Sequence, residues 1–150
     1  MIWLDMDGTI ANLYKDGWLE EVRNKNTKPY EVADKLVDEE VLLNLIKKGY
    51  KLGVISWCAK GEDTKYDEEV KEAKKKWLKA NYPNVKFDKI RIVKYGYPKQ
   101  NFYNDGDILV DDEEPNRNNW LGKAIKPEEI YCIWEEEDLD ELSQWWMDNE

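Results

Sequence analysis

Asp5 and Asp7, one residue apart in the opening stretch MIWLDMDGT, close a short apolar run and lead directly into Gly8 and Thr9. A carboxylate at the end of a buried strand is costly to desolvate unless it is paired or bound to a cation. A second acidic pair, Asp111 and Asp112, ends the run ILVDD, and Ser56 ends the run VIS. Carboxylates converging from two strands would form a hard, oxygen-rich site suited to Mg2+, with waters and substrate oxygens completing the coordination. Asp5 and Asp7 share a face of an extended chain, and Gly8 permits the turn that must follow. The structural alternative is that all of these residues are caps and turns at strand ends.

Composition narrows the chemistry. Among 150 residues there is no histidine, which removes Ser-His-Asp and Cys-His catalysis, imidazole acid-base chemistry and the usual catalytic zinc sites together. Carboxylates, lysines, tyrosines or a metal must do the work. A net charge of −10 would repel a phosphate backbone, so no extended nucleic-acid surface is expected, although a small site can still bind phosphate. Cys58 and Cys132 are the two cysteines, too few for a disulfide framework and expected as free thiols near the core. No run approaches the length of a membrane span, and MIWLD lacks the basic segment and long apolar stretch of a signal peptide. The expected setting is cytoplasmic, with no membrane partner.

The elements that must position these residues alternate. Apolar runs predict strands at residues 2–4, 51–56, 89–93, 107–110 and 130–134, and amphipathic segments predict helices near 32–48, 66–82 and 116–121 and from Asp138 onward. Such alternation implies an α/β fold, a Rossmann-like open parallel sheet with helices on both faces. The helix carrying DEEVKEAKKKWLK places acids early and lysines late, as the macrodipole favours, and its charge run reads as a solvated face. No repeat or linker interrupts the chain, so residues 1–150 read as one domain. In an open parallel sheet ligands bind beyond the carboxyl ends of the strands, where Asp5, Asp7, Ser56, Asp111 and Asp112 would all converge.

With DMDGT at residues 5–9, VIS at 54–56, a downstream lysine and ILVDD at 108–112 in this order, the sequence resembles the haloacid dehalogenase-like superfamily. Most of its members are Mg2+-dependent phosphohydrolases that use an aspartyl-phosphate intermediate. The resemblance implies Asp5 as the nucleophile and Asp7 as the acid for the leaving alcohol, then the base for water. It implies Mg2+ held by Asp5, the backbone carbonyl of Asp7 and Asp111, with Asp112 as a further ligand or as a support to the ligands. Thr9 and Ser56 would contact the substrate, Ser56 through the phosphoryl oxygens, helped by backbone amides around Trp57. The family lysine that balances the negative charge is Lys99 or Lys94, and Lys99 is favoured because it precedes the DILVDD strand in a turn-to-helix segment. Asn116 and Trp120 are placed to orient Asp112 or to close the floor of the site.

Family members insert a cap between the first motif and the serine. Only about residues 12–31 are available for one here, a minimal cap that leaves an open site or one that borrows a lid from a second subunit in a homodimer. Tyr14, Trp18, Arg23 and Tyr30 in that stretch can stack on a base or meet a phosphate, or simply pack the cap onto the core. The segments YGYPK and DDEEPN are similar to those of small deoxyribonucleotidase-like and phage-type members. The expected partner is therefore a nucleotide or similar small phosphomonoester. A polynucleotide-end phosphatase, a silent phosphate- and Mg2+-binding regulatory module, and transfer to an acceptor other than water are the alternatives.

Overall fold

A computed structural model of the chain describes residues 1–131 and 133. Trp134, Cys132, the helix expected from Asp138 and the Trp145–Trp146 pair lie outside the described residues.

Five strands form a parallel sheet: β1 (Ile2–Leu4), β4 (Leu52–Trp57), β5 (Lys89–Val93), β6 (Ile108–Val110) and β7 (Ala124–Ile125). Their order is β5-β4-β1-β6-β7, and every neighbouring pair is parallel. The three central strands are apolar and almost wholly buried, as strands covered on both faces must be. Alternation along β1 sends Ile2 and Leu4 to one face and Trp3 to the other. The first face packs with Leu42, Leu45, Trp77 and Leu78 from helices α3 (Glu39–Lys47) and α4 (Thr64–Asn81). Trp3, with Ile55 and Leu109, packs on the other face against Trp120, Phe102 and Tyr103. The architecture is thus α/β and Rossmann-like, with the sheet flanked by helices. No helix among the described residues is long and apolar enough to cross a membrane.

Register sets the functional edge. Leu4 lies opposite both Val54 and Val110, so Asp5 and Asp111 emerge side by side one residue later. The Asp5 N–H donates to the Val110 carbonyl at 3.0 Å, carrying the ladder to the point where the strands part.

After β1 the chain turns through Gly8 and enters β2 (Ala11–Asn12), which pairs antiparallel with β3 (Asp34–Lys35). This ribbon closes the stem of a small insertion holding α1 (Trp18–Arg23) and α2 (Lys28–Glu31). The insertion packs on α4 through Leu13, Tyr30, Tyr66 and Val70.

Two expected elements differ. The helix expected over 32–48 begins only at Glu39, because residues 33–37 are held in an extended path by outside partners. Trp77 Nε1 donates to the Ala33 carbonyl, the Tyr82 hydroxyl to the Val37 carbonyl, and the Leu36 N–H to the Ile10 carbonyl. The strand expected over 130–134 is instead helical at Ile130, Tyr131 and Ile133. Pro127 opens a 3-10 turn in which the Glu129 carboxylate accepts from the Lys126 N–H at 3.0 Å, so the chain enters Ile130 already wound. The sheet position next to β6 is taken by the two-residue β7.

Candidate functional site

The first motif leaves β1 as a tight loop in which the Met6 carbonyl accepts from the N–H groups of Thr9, Ile10 and Ala11. Gly8 has φ of 81° and sits so close to Asp112 that a Cβ there would collide with Asp112 Oδ2. Both the left-handed backbone and the absent side chain are therefore required at this position. Thr9, buried beneath the loop, donates weakly toward Asp5 Oδ2 at 3.3 Å and Asp112 Oδ1 at 3.4 Å.

Asp5, Asp111 and Lys99 form the centre. Lys99, only 2% exposed, donates to Asp5 Oδ1 at 2.9 Å and to Asp111 Oδ2 at 2.6 Å. Its place follows from the turn after β5, which leads through Pro98 into a 3-10 turn starting at Lys99. Burial works against its charge, but Asp5 and Asp111 overcome that and hold its ammonium above the usual lysine range. Two of its three N–H donors are spent on the carboxylates, leaving one for a ligand. Lys94 lies elsewhere, exposed and 3.6 Å from Glu62.

Asp111 also accepts from the Glu113 N–H at 2.9 Å and from Asn116 Nδ2 at 3.2 Å. Asn116 thus orients Asp111 and not Asp112, because helix α5 (Glu114–Asn119) starts directly after the acidic pair and turns its third residue back over Asp111. Trp120 donates to the Asp107 carbonyl and stacks edge-on against Tyr103, beneath the sheet.

Asp5, Asp111 and Asp112 each present an oxygen within 4.8 Å of the others. Burial, a hydrogen bond with the Asp5 carboxyl and the charges of Asp5 and Asp111 push Asp112 up to about 8. Asp111 is likewise raised, first by burial and then by Asp5, against the pull of Lys99. Three carboxyls crowded beside the single ammonium of Lys99 make a site short of positive charge, and an all-oxygen set of this kind fits a hard divalent cation better than a soft one. The Asp7 side chain is not part of this group.

Asp7 instead points to a lysine that the charge pattern hides. Lys74 of α4, 1% exposed, donates to Asp7 Oδ2 at 2.8 Å, to Ser56 Oγ at 2.7 Å and to the Trp57 carbonyl at 2.8 Å. Its ammonium also lies 5.1 Å from the centre of the Tyr30 ring. Burial raises the Asp7 carboxyl above its ordinary value, opposed by Lys74 and assisted by Asp5. The sequence signal for Lys74 is helical phase: Val70, Ala73, Trp77 and Leu78 are the buried stripe of α4, and Lys74 falls within it.

Above these groups opens a cavity of about 520 Å³ faced by Asp5, Asp7, Trp57 and Lys99. Its outer wall comes from the insertion, where Tyr14 and Trp18 meet edge to face at 5.0 Å, and from Tyr95, which packs on Trp57 at 5.1 Å. Trp57 Nε1 is anchored on the Tyr97 carbonyl at 2.8 Å. Arg23 and Lys25 add positive charge to the rim, whereas Ser56 is wholly buried behind Asp7 and does not face the cavity. Cys58 is a buried free thiol beside it.

The structure therefore brings Asp5, Asp7, Thr9, Trp57, Lys99, Asp111 and Asp112 to one edge of the sheet, with Ser56 one layer deeper and Lys94 apart. Models of known protein families give no match to this chain, and neither do the curated proteins.

Proposed function

We propose that the chain is a Mg2+-dependent phosphomonoester hydrolase of the haloacid dehalogenase-like type, working through an aspartyl-phosphate on Asp5. The observation that carries this reading is the Asp5 carboxylate, buried at the cavity wall with one oxygen on Lys99 and its neighbours Asp111 and Asp112 within reach of the same point. Asp5 and Asp111, with Asp112 and the Asp7 carbonyl, would hold Mg2+. Bound there, the ion supplies charge that neutralises the acidic cluster and the phosphoryl oxygens.

In the first half-reaction an Asp5 oxygen forms a bond to phosphorus as the bond to the ester oxygen breaks, and Asp7 passes a proton to the departing alcohol. In the second, Asp7 takes a proton from water, the water oxygen bonds to phosphorus, and the acyl-phosphate bond breaks to regenerate Asp5 and release phosphate. The remaining N–H of Lys99 is directed to the charge that builds on the phosphoryl oxygens.

The substrate is a nucleotide or a similarly small phosphomonoester. A cavity of about 520 Å³ suits a small molecule, and Tyr14, Trp18, Trp57 and Tyr95 offer aromatic surface for a planar group. The net charge of −10 disfavours a polynucleotide end.

The test is phosphate release from p-nitrophenyl phosphate and from 5′ and 3′ nucleotides, with Mg2+ and with EDTA. Release that needs Mg2+ and disappears in Asp5→Asn supports the reading. A folded, Mg2+-binding protein that releases phosphate from no ester overturns it in favour of a phosphate-binding module.

A further inference from the structure

We propose that Lys74 is a positioning residue for Asp7, braced from behind by Ser56 and the Trp57 carbonyl. This assignment rests on the phosphatase reading above for its kinetic consequence, but its geometric content stands on the structure alone.

An ammonium has three N–H donors and no acceptor. Lys74 directs all three to protein oxygens at 2.7 to 2.8 Å, with the whole side chain buried. Unlike Lys99, it keeps no donor for a ligand, and neither it nor Ser56 faces the cavity. A lysine spent in this way acts through the group it holds. That group is Asp7, which does face the cavity; with Oδ2 fixed on Lys74, Oδ1 is the oxygen left to exchange a proton.

Rigid anchoring explains the cost of placing a lysine in the apolar stripe of α4. Burying an ammonium is unfavourable unless its hydrogen bonds are complete, and here Asp7, Ser56, Trp57 and the face of Tyr30 complete them. Ser56 and Trp57 belong to β4, the strand beside β1. The ammonium thus ties the Asp7 loop to the neighbouring strand, fixing the side chain to within the tolerance that proton transfer demands.

The consequence is selective. A misplaced Asp7 should hurt esters whose alcohol must be protonated to leave and spare those whose phenol departs as a stable anion. The experiment measures kcat/KM for an alkyl phosphate, p-nitrophenyl phosphate and 2,4-dinitrophenyl phosphate with wild type, Lys74→Met and Ser56→Ala, alongside crystal structures of wild type and Lys74→Met. Ser56→Ala removes one anchor with little change in volume, so it covers the case in which Lys74→Met does not fold.

The expected loss in Lys74→Met is about 100-fold on the alkyl ester and less than about 5-fold on the dinitrophenyl ester, matching the usual weight of general acid catalysis. Ser56→Ala should show the same leaving-group trend at smaller size, with inhibition by inorganic phosphate unchanged. Equal losses on all three esters, or a Ser56→Ala variant whose phosphate inhibition weakens with no leaving-group trend, would overturn the assignment. So would an Asp7 side chain that keeps its orientation in the Lys74→Met crystal structure. A wild type silent on every ester removes the phosphatase reading alone, since the orientation of Asp7 in the two crystal structures still decides the positioning role.

Discussion

Binding of Mg2+ should release a proton, and its affinity should climb steeply with pH. The cause is Asp112, pushed up to about 8 by burial, by its hydrogen bond with Asp5 and by the charges of Asp5 and Asp111. A carboxyl with a raised value keeps its proton through neutrality, and a cation taking that place must displace it. With a single competing proton the apparent Kd scales as 1 + 10^(8−pH), so it weakens roughly 50-fold between about pH 8 and about pH 6. Calorimetric titration of Mg2+ in buffers of different ionisation enthalpy measures both the affinity and the protons released. Near pH 7 the release should approach one proton per ion, and Asp112→Asn should flatten most of the slope. A Kd constant across this range, with no proton released, would refute the reasoning. Stability of the metal-free protein runs the opposite way. The folded state keeps a proton that the unfolded chain loses above the ordinary carboxyl value, so the metal-free protein loses stability as pH rises from about 4 to about 8. Added Mg2+ should therefore raise Tm more at the alkaline end of that window than at the acid end.

Asp5→Asn should drop phosphate release to background while thermal melting shows a folded protein. Lys99→Met, which strips two buried carboxylates of their shared partner, should lower kcat/KM by about 10²- to 10³-fold. Lys94→Ala, at an exposed pair with Glu62, should leave steady-state kinetics unchanged and shift urea stability by less than about 0.5 kcal/mol. Gly8→Ala forces a side chain into a left-handed conformation and against Asp112, so urea unfolding should show a loss of about 1–2 kcal/mol or more.

The acids were legible because their chemistry conflicts with their setting. Asp5, Asp111 and Asp112 close apolar runs, and a parallel sheet brings such ends to one crevice. Lys99 was favoured over Lys94 through the family resemblance, which implies a lysine in the turn-to-helix segment ahead of β6. Lys74 was not, because a lysine in EAKKKWLK reads as one of several solvated charges until helical phase places it beside Val70 and Trp77. The role of Ser56 was obscured for the same reason: its hydroxyl is covered by a side chain eighteen residues further on. Residues 33–37 form no helix because Trp77 and Tyr82 claim their carbonyls, a long-range contact that periodicity does not carry. The apolar run at Ile130 fits a buried strand or a helix equally well, and the Pro127 turn decides for the helix.

The most direct measurement is mass spectrometry of the protein acid-quenched during turnover of p-nitrophenyl phosphate with Mg2+, followed by digestion and mapping of phosphate. The predicted result is a hydroxylamine-labile phosphate on Asp5, absent without Mg2+ and absent in Asp5→Asn. Phosphate release that continues with Asp5 unmodified, or with the label on another residue, would contradict nucleophilic attack by Asp5.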